Sequence, residues 1–239
     1  MTPNNSAPHH LTLSVIMPAL NEEDNIALAL QNTLDALDHF KISGEISTVN
    51  DGSRDRTLDI IKEFSGREPR IRYLDHDSPR GIGASFWEGV DASNHDIVIM
   101  LPGDNENDPW EIVQYFDLLA HVDIVIPFVY NRAARGIFRN LLSFLYRFII
   151  NTSFFVNFNY TNGTVLYRKS ILKEIKYRSS GFFFQTDILI RSIKRGYLFA
   201  EVPYRLGVRN TGKSKAVSYP SLVNVVKGYL RLVRDFYSK

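Results

Sequence analysis

Apolar positions in the first hundred residues alternate between two periods. Residues 11–19 (LTLSVIMPA) are a short apolar run, rich in Val, Ile and Leu and ended at Pro18, and predict a strand. From Asn21 the period lengthens. Ile26, Leu28, Leu30, Leu34 and Leu37 fall at helical spacing, with Asn21 as the candidate N-cap and acids in the first turn suited to the helix dipole. A second strand, within 45–53, runs into the turn Asn50-Asp51-Gly52-Ser53 and a helix over 55–64. A third strand (70–76), a glycine-rich helix start (81–92) and a fourth strand (96–101) follow. Strands and helices alternating at this spacing predict an α/β fold with a mostly parallel sheet flanked by helices on both faces.

The second half carries a different pattern. Over 140–156 the polar residues Asn140, Ser143, Arg147 and Asn151 recur every three or four positions, a narrow stripe on a helix otherwise covered by Leu, Ile and Phe. Near the C-terminus Asn224, Lys227, Arg231 and Arg234 repeat the design against Val223, Val225, Val226, Leu230, Val233 and Phe236. Such helices either lie in a bilayer interface or pack on the sheet or on another subunit.

Charge sharpens the division. Residues 1–123 hold 22 acidic and 8 basic residues, a net −14; residues 124–239 hold 4 and 20, a net +16. Acids suit a metal ion or a ribose, and a basic, aromatic-rich surface suits phosphates and anionic lipid. The chain therefore reads as a polar tail over 1–10, expected to be disordered, and one domain over 11–239. Its acidic half is 11–123 and its basic half 124–239. There is no cysteine, which excludes disulfides and thiolate metal sites and agrees with a cytoplasmic location. No signal peptide or bilayer-spanning stretch is evident, so any membrane association is expected to be peripheral. No recognition helix or RNA-binding aromatic motif points to nucleic acid.

In sheets of this kind ligands bind beyond the carboxyl ends of the strands. The unusual residues collect there: Pro18-Ala19-Leu20-Asn21-Glu22 after strand one, Asn50-Asp51-Gly52-Ser53 after strand two, and Pro102-Gly103-Asp104-Asn105-Glu106 after strand four. Carboxylates in these loops can bond a base or ribose, or hold Mg²⁺ or Mn²⁺ through hard oxygen ligands; Asp104 and Glu106, two apart, could share one ion. The plainer reading of any single loop is turn and cap chemistry. Gly81 and Gly83 permit close backbone approach, either to a ligand or to packing neighbours. The six histidines show no ligand spacing and read as satisfied surface or core residues.

These motifs resemble those of the family-two glycosyltransferases of GT-A fold. The loops stand here as Pro18-Ala19-Leu20-Asn21-Glu22, Asn50-Asp51-Gly52-Ser53-Arg54-Asp55-Arg56-Thr57 and Pro102-Gly103-Asp104. Further on, Asn159-Tyr160-Thr161-Asn162-Gly163-Thr164, Leu166-Tyr167-Arg168-Lys169, Phe184-Gln185-x-Asp187, Glu201-Val202-Pro203 and Arg209-x-x-Gly212-x-Ser214-Lys215 resemble dolichyl- and polyprenyl-phosphate mannosyltransferases. The resemblance implies nucleotide-sugar contacts from Pro18, Ala19, Glu22, Asp51, Gly81, Gly83, Asp104 and Arg139. It implies a metal on Asp104 and Glu106, and phosphate handling by Ser143, Arg209, Ser214 and Lys215. Pro102 replaces the first Asp of the metal motif, Asn50 the first Asp of the second loop, and Val129 an expected Arg, whose role could pass to Arg132 or Arg135.

The expected activity is an inverting transfer of a sugar from a nucleoside-diphosphate donor to a polyprenyl phosphate at the cytoplasmic membrane face, with Asp104 and Arg209 as catalytic groups. An ionised phosphate acceptor needs no strong base. A sugar-hydroxyl acceptor would need one, and Asp187 is its candidate. A catalytically weak nucleotide-sugar-binding subunit of a membrane complex is the third reading. A membrane-protein partner and a homo-oligomer are both open.

Overall fold

In the computed structural model, residues 11–131, 137–161, 163–205 and 219–238 are described. Seven strands form one sheet in the order β3-β2-β1-β4-β6-β5-β7: β1 Leu13–Ala19, β2 Gly44–Asn50, β3 Ile71–Asp75, β4 Ile97–Met100, β5 Ile124–Val129, β6 Leu166–Arg168 and β7 Phe199–Tyr204. Strands β1 to β4 are mutually parallel, as are β5 and β7; β6 alone runs against both its neighbours, β4 and β5. This is the mostly parallel α/β architecture that the alternation predicts.

Eight helices accompany the sheet among the described residues: α1 Ile26–His39, α2 Thr57–Arg67, α3 Ile82–Ala92, α4 Pro109–Val113, α5 Ile137–Phe154, α6 Lys169–Lys173, α7 Phe184–Lys194 and α8 Tyr219–Tyr237. Every residue of β1 is buried because helices cover both faces of the sheet, so a central strand tolerates apolar side chains in sequence. The pleat sends Val15 and Met17 to one core with α1, α2 and α4, and Ile16 to the other with α3, α5, α7 and α8.

Two local departures from the sequence reading have clear causes. Helix α1 begins at Ile26 rather than just after Asn21, and no acid lies in its first turn. Asn21 adopts φ +55° and is consumed by the neighbouring loop: its backbone N–H donates to Ser53 Oγ (3.0 Å) and its Oδ1 accepts from Arg54 N (2.8 Å). Glu22, Glu23 and Asp24 therefore lie in the connecting turn.

Helices α5 and α8 pack only part of their apolar surface. Ile150 and Phe154 of α5 are buried, and so is Leu232 of α8. Leu141, Phe144, Leu145, Phe148 and Ile149 of α5, and Leu222, Val226 and Leu230 of α8, are exposed. Two members of the α5 polar stripe also meet the protein: Asn151 exchanges two bonds with the backbone of Phe158, and Arg147 Nη1 donates to the Asn159 carbonyl at 3.1 Å. Among the described residues, no helix is long and apolar enough to cross a membrane.

Candidate active site

The three acidic loops meet at the carboxyl ends of β1, β2 and β4, and their backbones are stitched together. Asp51 N donates to the Ala19 carbonyl (2.8 Å), Gly103 N to the Pro18 carbonyl (3.0 Å), and Glu22 N to Thr57 Oγ1 (2.8 Å). Gly103 makes this approach possible, because a Cβ there would stand 2.7 Å from the Ile26 side chain and 3.3 Å from Ala19 Cβ. Pro18, Ala19, Glu22, Asp51 and Asp104 are thus brought to one rim by adjacent strands.

Within the third loop, Asn105 turns the chain at φ +55° and Asp104 Oδ1 accepts the Glu106 N–H at 3.1 Å. Both half-buried carboxylates are presented from one short turn, with Asn105 tied to α1 through Asn32 Nδ2 (3.2 Å).

Asp51 is buried and its carboxylate is heavily used. Oδ1 accepts from Arg80 N (2.7 Å) and faces His76 Nδ1 (2.9 Å), and Oδ2 accepts from Gly81 N (3.0 Å). The far ring nitrogen of His76 lies 2.7 Å from Glu88 Oε2, and Glu88 also accepts from Arg80 Nη1. The bond from His76 is the main influence holding the Glu88 carboxyl below its ordinary value. His76 is a buried, fully bonded histidine, as its sequence context suggests; its link to Asp51 had no signal in residue spacing, since the β2–β3 pairing, which sets Asn50 beside Asp75, brings the two together.

Gly81 and Gly83 answer to packing. A Cβ on Gly83 would stand 2.3 Å from the Ser179 carbonyl oxygen, and one on Gly81, at φ +99°, 2.8 Å from that of Ser180. Gly83 N also donates to the Ser180 carbonyl at 2.9 Å. The close approach these glycines allow is to the chain's own 179–180 loop.

The motifs of the second half also converge. Glu201 on β7 grips the start of the Asn159–Thr164 segment, accepting from Asn159 N (2.7 Å) and Nδ2 (2.9 Å). Thr186 Oγ1 on α7 donates to the Thr161 carbonyl (3.2 Å) and meets the Tyr146 hydroxyl of α5 at 2.8 Å. Tyr167 donates to Gln185 Oε1 at 3.2 Å. Ser143 lies on the exposed side of α5.

Asp187 is buried, and its Oδ2 lies 2.9 Å from Arg191 Nε. Burial raises its carboxyl above the ordinary value, partly offset by Arg191, whose Nη2 also reaches Asp235 Oδ2 of α8 at 2.8 Å. Of the remaining sequence candidates, Arg209, Ser214 and Lys215 lie outside the described residues, as do Arg132 and Arg135, and Arg139 is placed only as a backbone position in α5.

A parallel sheet whose switch point is crowded with acidic loops, continued by an antiparallel strand and a helical second half, is the architecture of a GT-A glycosyltransferase. The described fold superposes on glucosyl-3-phosphoglycerate synthase of Mycobacterium tuberculosis, solved with Mn²⁺, UDP and glucosyl-3-phosphoglycerate, with a TM-score of 0.66 and 20% identity over 93% of this chain and 80% of that one. Residues 14–176 match the family described as glycosyl transferase family 2, and the chain belongs to that family. Among named relatives it is 26% identical over 176 residues to dodecaprenyl-phosphate galacturonate synthase of Rhizobium johnstonii, covering 72% of this chain and 52% of the relative. To polyprenol monophosphomannose synthase of Mycolicibacterium smegmatis it is 27% identical over 217 residues, covering 84% and 79%. Of three curated relatives that it matches, the chain spans 33%, 52% and 79% of the length.

Proposed function

We propose that this glycosyltransferase moves a sugar, with inversion, from a nucleoside diphosphate to a polyprenyl phosphate at the cytoplasmic face of a membrane. The observation that carries this reading is the convergence of Asn159, Thr161, Gln185 and Glu201 beside α5, whose bulky apolar side chains remain exposed. The two named relatives are synthases of polyprenyl-phosphate sugars, which supports the same acceptor class.

The donor half would hold the nucleoside against Pro18, Ala19, Glu22 and Asp51. Asp104 and Glu106 fit a hard divalent cation, being two carboxylates on one loop whose remaining ligands a diphosphate can supply. Among the described residues no three His, Asp or Glu side chains gather into a metal cage, so the protein's share of coordination is expected to be small. When bound, Mg²⁺ or Mn²⁺ would neutralise charge on the departing diphosphate.

In the reaction a lipid-phosphate oxygen forms a new bond to the anomeric carbon. The bond from that carbon to the donor phosphate breaks, and the electron pair leaves with the nucleoside diphosphate. A phosphate monoester has a second pKa near ~6, so it attacks without surrendering a proton to the protein. Asp187, buried and bonded to Arg191, is then a support for α7 and α8 rather than a base. Arg139, Ser143, Arg209, Ser214 and Lys215 are proposed to handle the donor and acceptor phosphates, as the family resemblance implies.

Peripheral attachment would come from the exposed apolar faces of α5 and α8. The basic half of the chain favours anionic lipid by about 1 kcal/mol per Lys or Arg near the surface. A panel of labelled nucleotide sugars, incubated with polyprenyl phosphate and Mn²⁺, tests the function. Label entering the organic phase from at least one donor is expected; label confined to water with every donor contradicts it.

A further inference from the structure

His76 takes no part in the chemistry above, yet it is among the most completely engaged polar side chains in the donor half. We propose that His76 is a positioning residue for the donor nucleotide and acts through Asp51. The inference rests on the assignment of the Asp51 loop to the donor, and it adds a residue that no motif includes.

His76 is 4% exposed, with Nδ1 2.9 Å from Asp51 Oδ1 and Nε2 2.7 Å from Glu88 Oε2. The ring therefore bridges a carboxylate at the end of β2 to one on α3, and both of its nitrogens are engaged, which fixes its plane. The buried Asp51 carboxylate gains a side-chain partner beside two backbone N–H groups, as a buried polar group requires.

The loop that follows His76 is fastened by the same carboxylate. Asp51 accepts from the backbone N–H groups of Arg80 and Gly81, and the His76 N–H donates to the Asn50 carbonyl at 3.0 Å. Gly52, at φ +74°, seats directly on this loop; a Cβ there would stand 2.7 Å from the Ser78 carbonyl carbon. Residues 50–53 and 76–81 thus form one unit, with His76 joining its carboxylate to α3 through Glu88. The charged groups facing the ring are Asp51 from the end of β2 and Glu88 from α3, with Arg80 closing the circuit on Glu88.

A group that fixes Asp51 without touching the reacting atoms affects donor binding more than turnover. His76→Gln is therefore expected to raise the donor KM, and the Kd for the matching nucleoside diphosphate, about tenfold, the worth of one hydrogen bond to a carboxylate. The value of kcat at saturating donor is expected to stay within about threefold of the parent. Because the effect runs through Asp51, His76→Gln added to Asp51→Asn should cost less than about threefold more. Glu88→Gln, on the half-exposed outer end of the circuit, is expected to give a smaller rise of the same kind and serves if His76→Gln does not fold.

Calorimetric titration with a panel of nucleoside diphosphates, beside steady-state kinetics, reads all four variants. If the wild-type chain binds no nucleoside diphosphate, the donor assignment itself fails. If it binds one and neither His76→Gln nor Glu88→Gln weakens binding, the role of His76 is overturned. Equal costs of His76→Gln in the two backgrounds, or a fall in kcat with KM unchanged, overturn it as well.

Discussion

Arg191 Nε lies 2.9 Å from the Oδ2 of Asp187, and this contact decides what the most base-like carboxylate of the basic half can do. A general base must reach the acceptor with an open lone pair. Asp187 is buried and spends its charge on a guanidinium that also holds Asp235. Asp187→Asn is expected to keep turnover within about tenfold of the parent while lowering the melting temperature. Arg191→Ala, which leaves two carboxylates facing each other, is expected to cost about 2–3 kcal/mol in denaturant unfolding. A loss of several orders of magnitude in kcat for Asp187→Asn would restore the hydroxyl-acceptor chemistry.

The same guanidinium gives a pH signature. Its hydrogen bond depresses the Asp235 carboxyl, so the stabilisation from Asp235 is present above the unfolded value near ~3.9 and is lost as pH falls through the lower folded value. Asp187, raised by burial, works in the opposite sense: its contribution is present below the unfolded value and lost as pH rises through the folded one. Melting curves of wild type and Asp235→Asn should therefore differ at pH 7, with the gap closing only as pH falls from about 4 through the lower folded value. A gap that is unchanged at the lowest pH at which the fold persists would show that Asp235 contributes packing rather than charge.

Gly83 separates packing from ligand binding. A methyl group there would meet the Ser179 carbonyl oxygen at 2.3 Å, and backbone on both sides cannot easily yield. Gly83→Ala is expected to destabilise the fold by about 1–3 kcal/mol, the usual range for overpacking. Donor affinity measured below the melting transition should change little. Undiminished stability with lost donor binding would return Gly83 to the ligand.

On the proposed membrane attachment, the exposed face of α5 is the part expected to meet lipid. Phe148 and Leu145 are 58% and 46% exposed, side chains large enough to contribute about 1.5–3 kcal/mol each on entering an apolar layer. Phe148→Asp is expected to reduce co-sedimentation with anionic vesicles at least tenfold, and added salt to weaken binding of the parent. Equal sedimentation of parent and variant would place that face elsewhere, on a protein partner or a second copy of the chain.

The central strands and the three strand-end loops were legible in the sequence because period and turn chemistry are local. The start of α1 was not. Asn21 reads as a cap, but the Ser53–Arg54 turn, thirty residues away, claims both its backbone and its side chain. Gly81 and Gly83 were visible as close-approach positions, while the identity of what approaches, the 179–180 loop, is a tertiary fact. The His76–Asp51 contact spans 25 positions and follows no periodicity. The polar stripe of α5 was legible, but the inward engagement of Arg147 and Asn151 was not, since amphipathicity gives two faces without saying which meets the protein.

The most direct measurement compares two acceptors of identical chain, a polyprenyl phosphate and the corresponding free polyprenol, with one active donor and Mn²⁺. Transfer to the phosphate alone, forming a sugar phosphodiester, retained in Asp187→Asn and lost in Asp104→Asn, is the predicted result. Transfer to the free alcohol at a comparable rate, abolished by Asp187→Asn, would contradict the proposed chemistry.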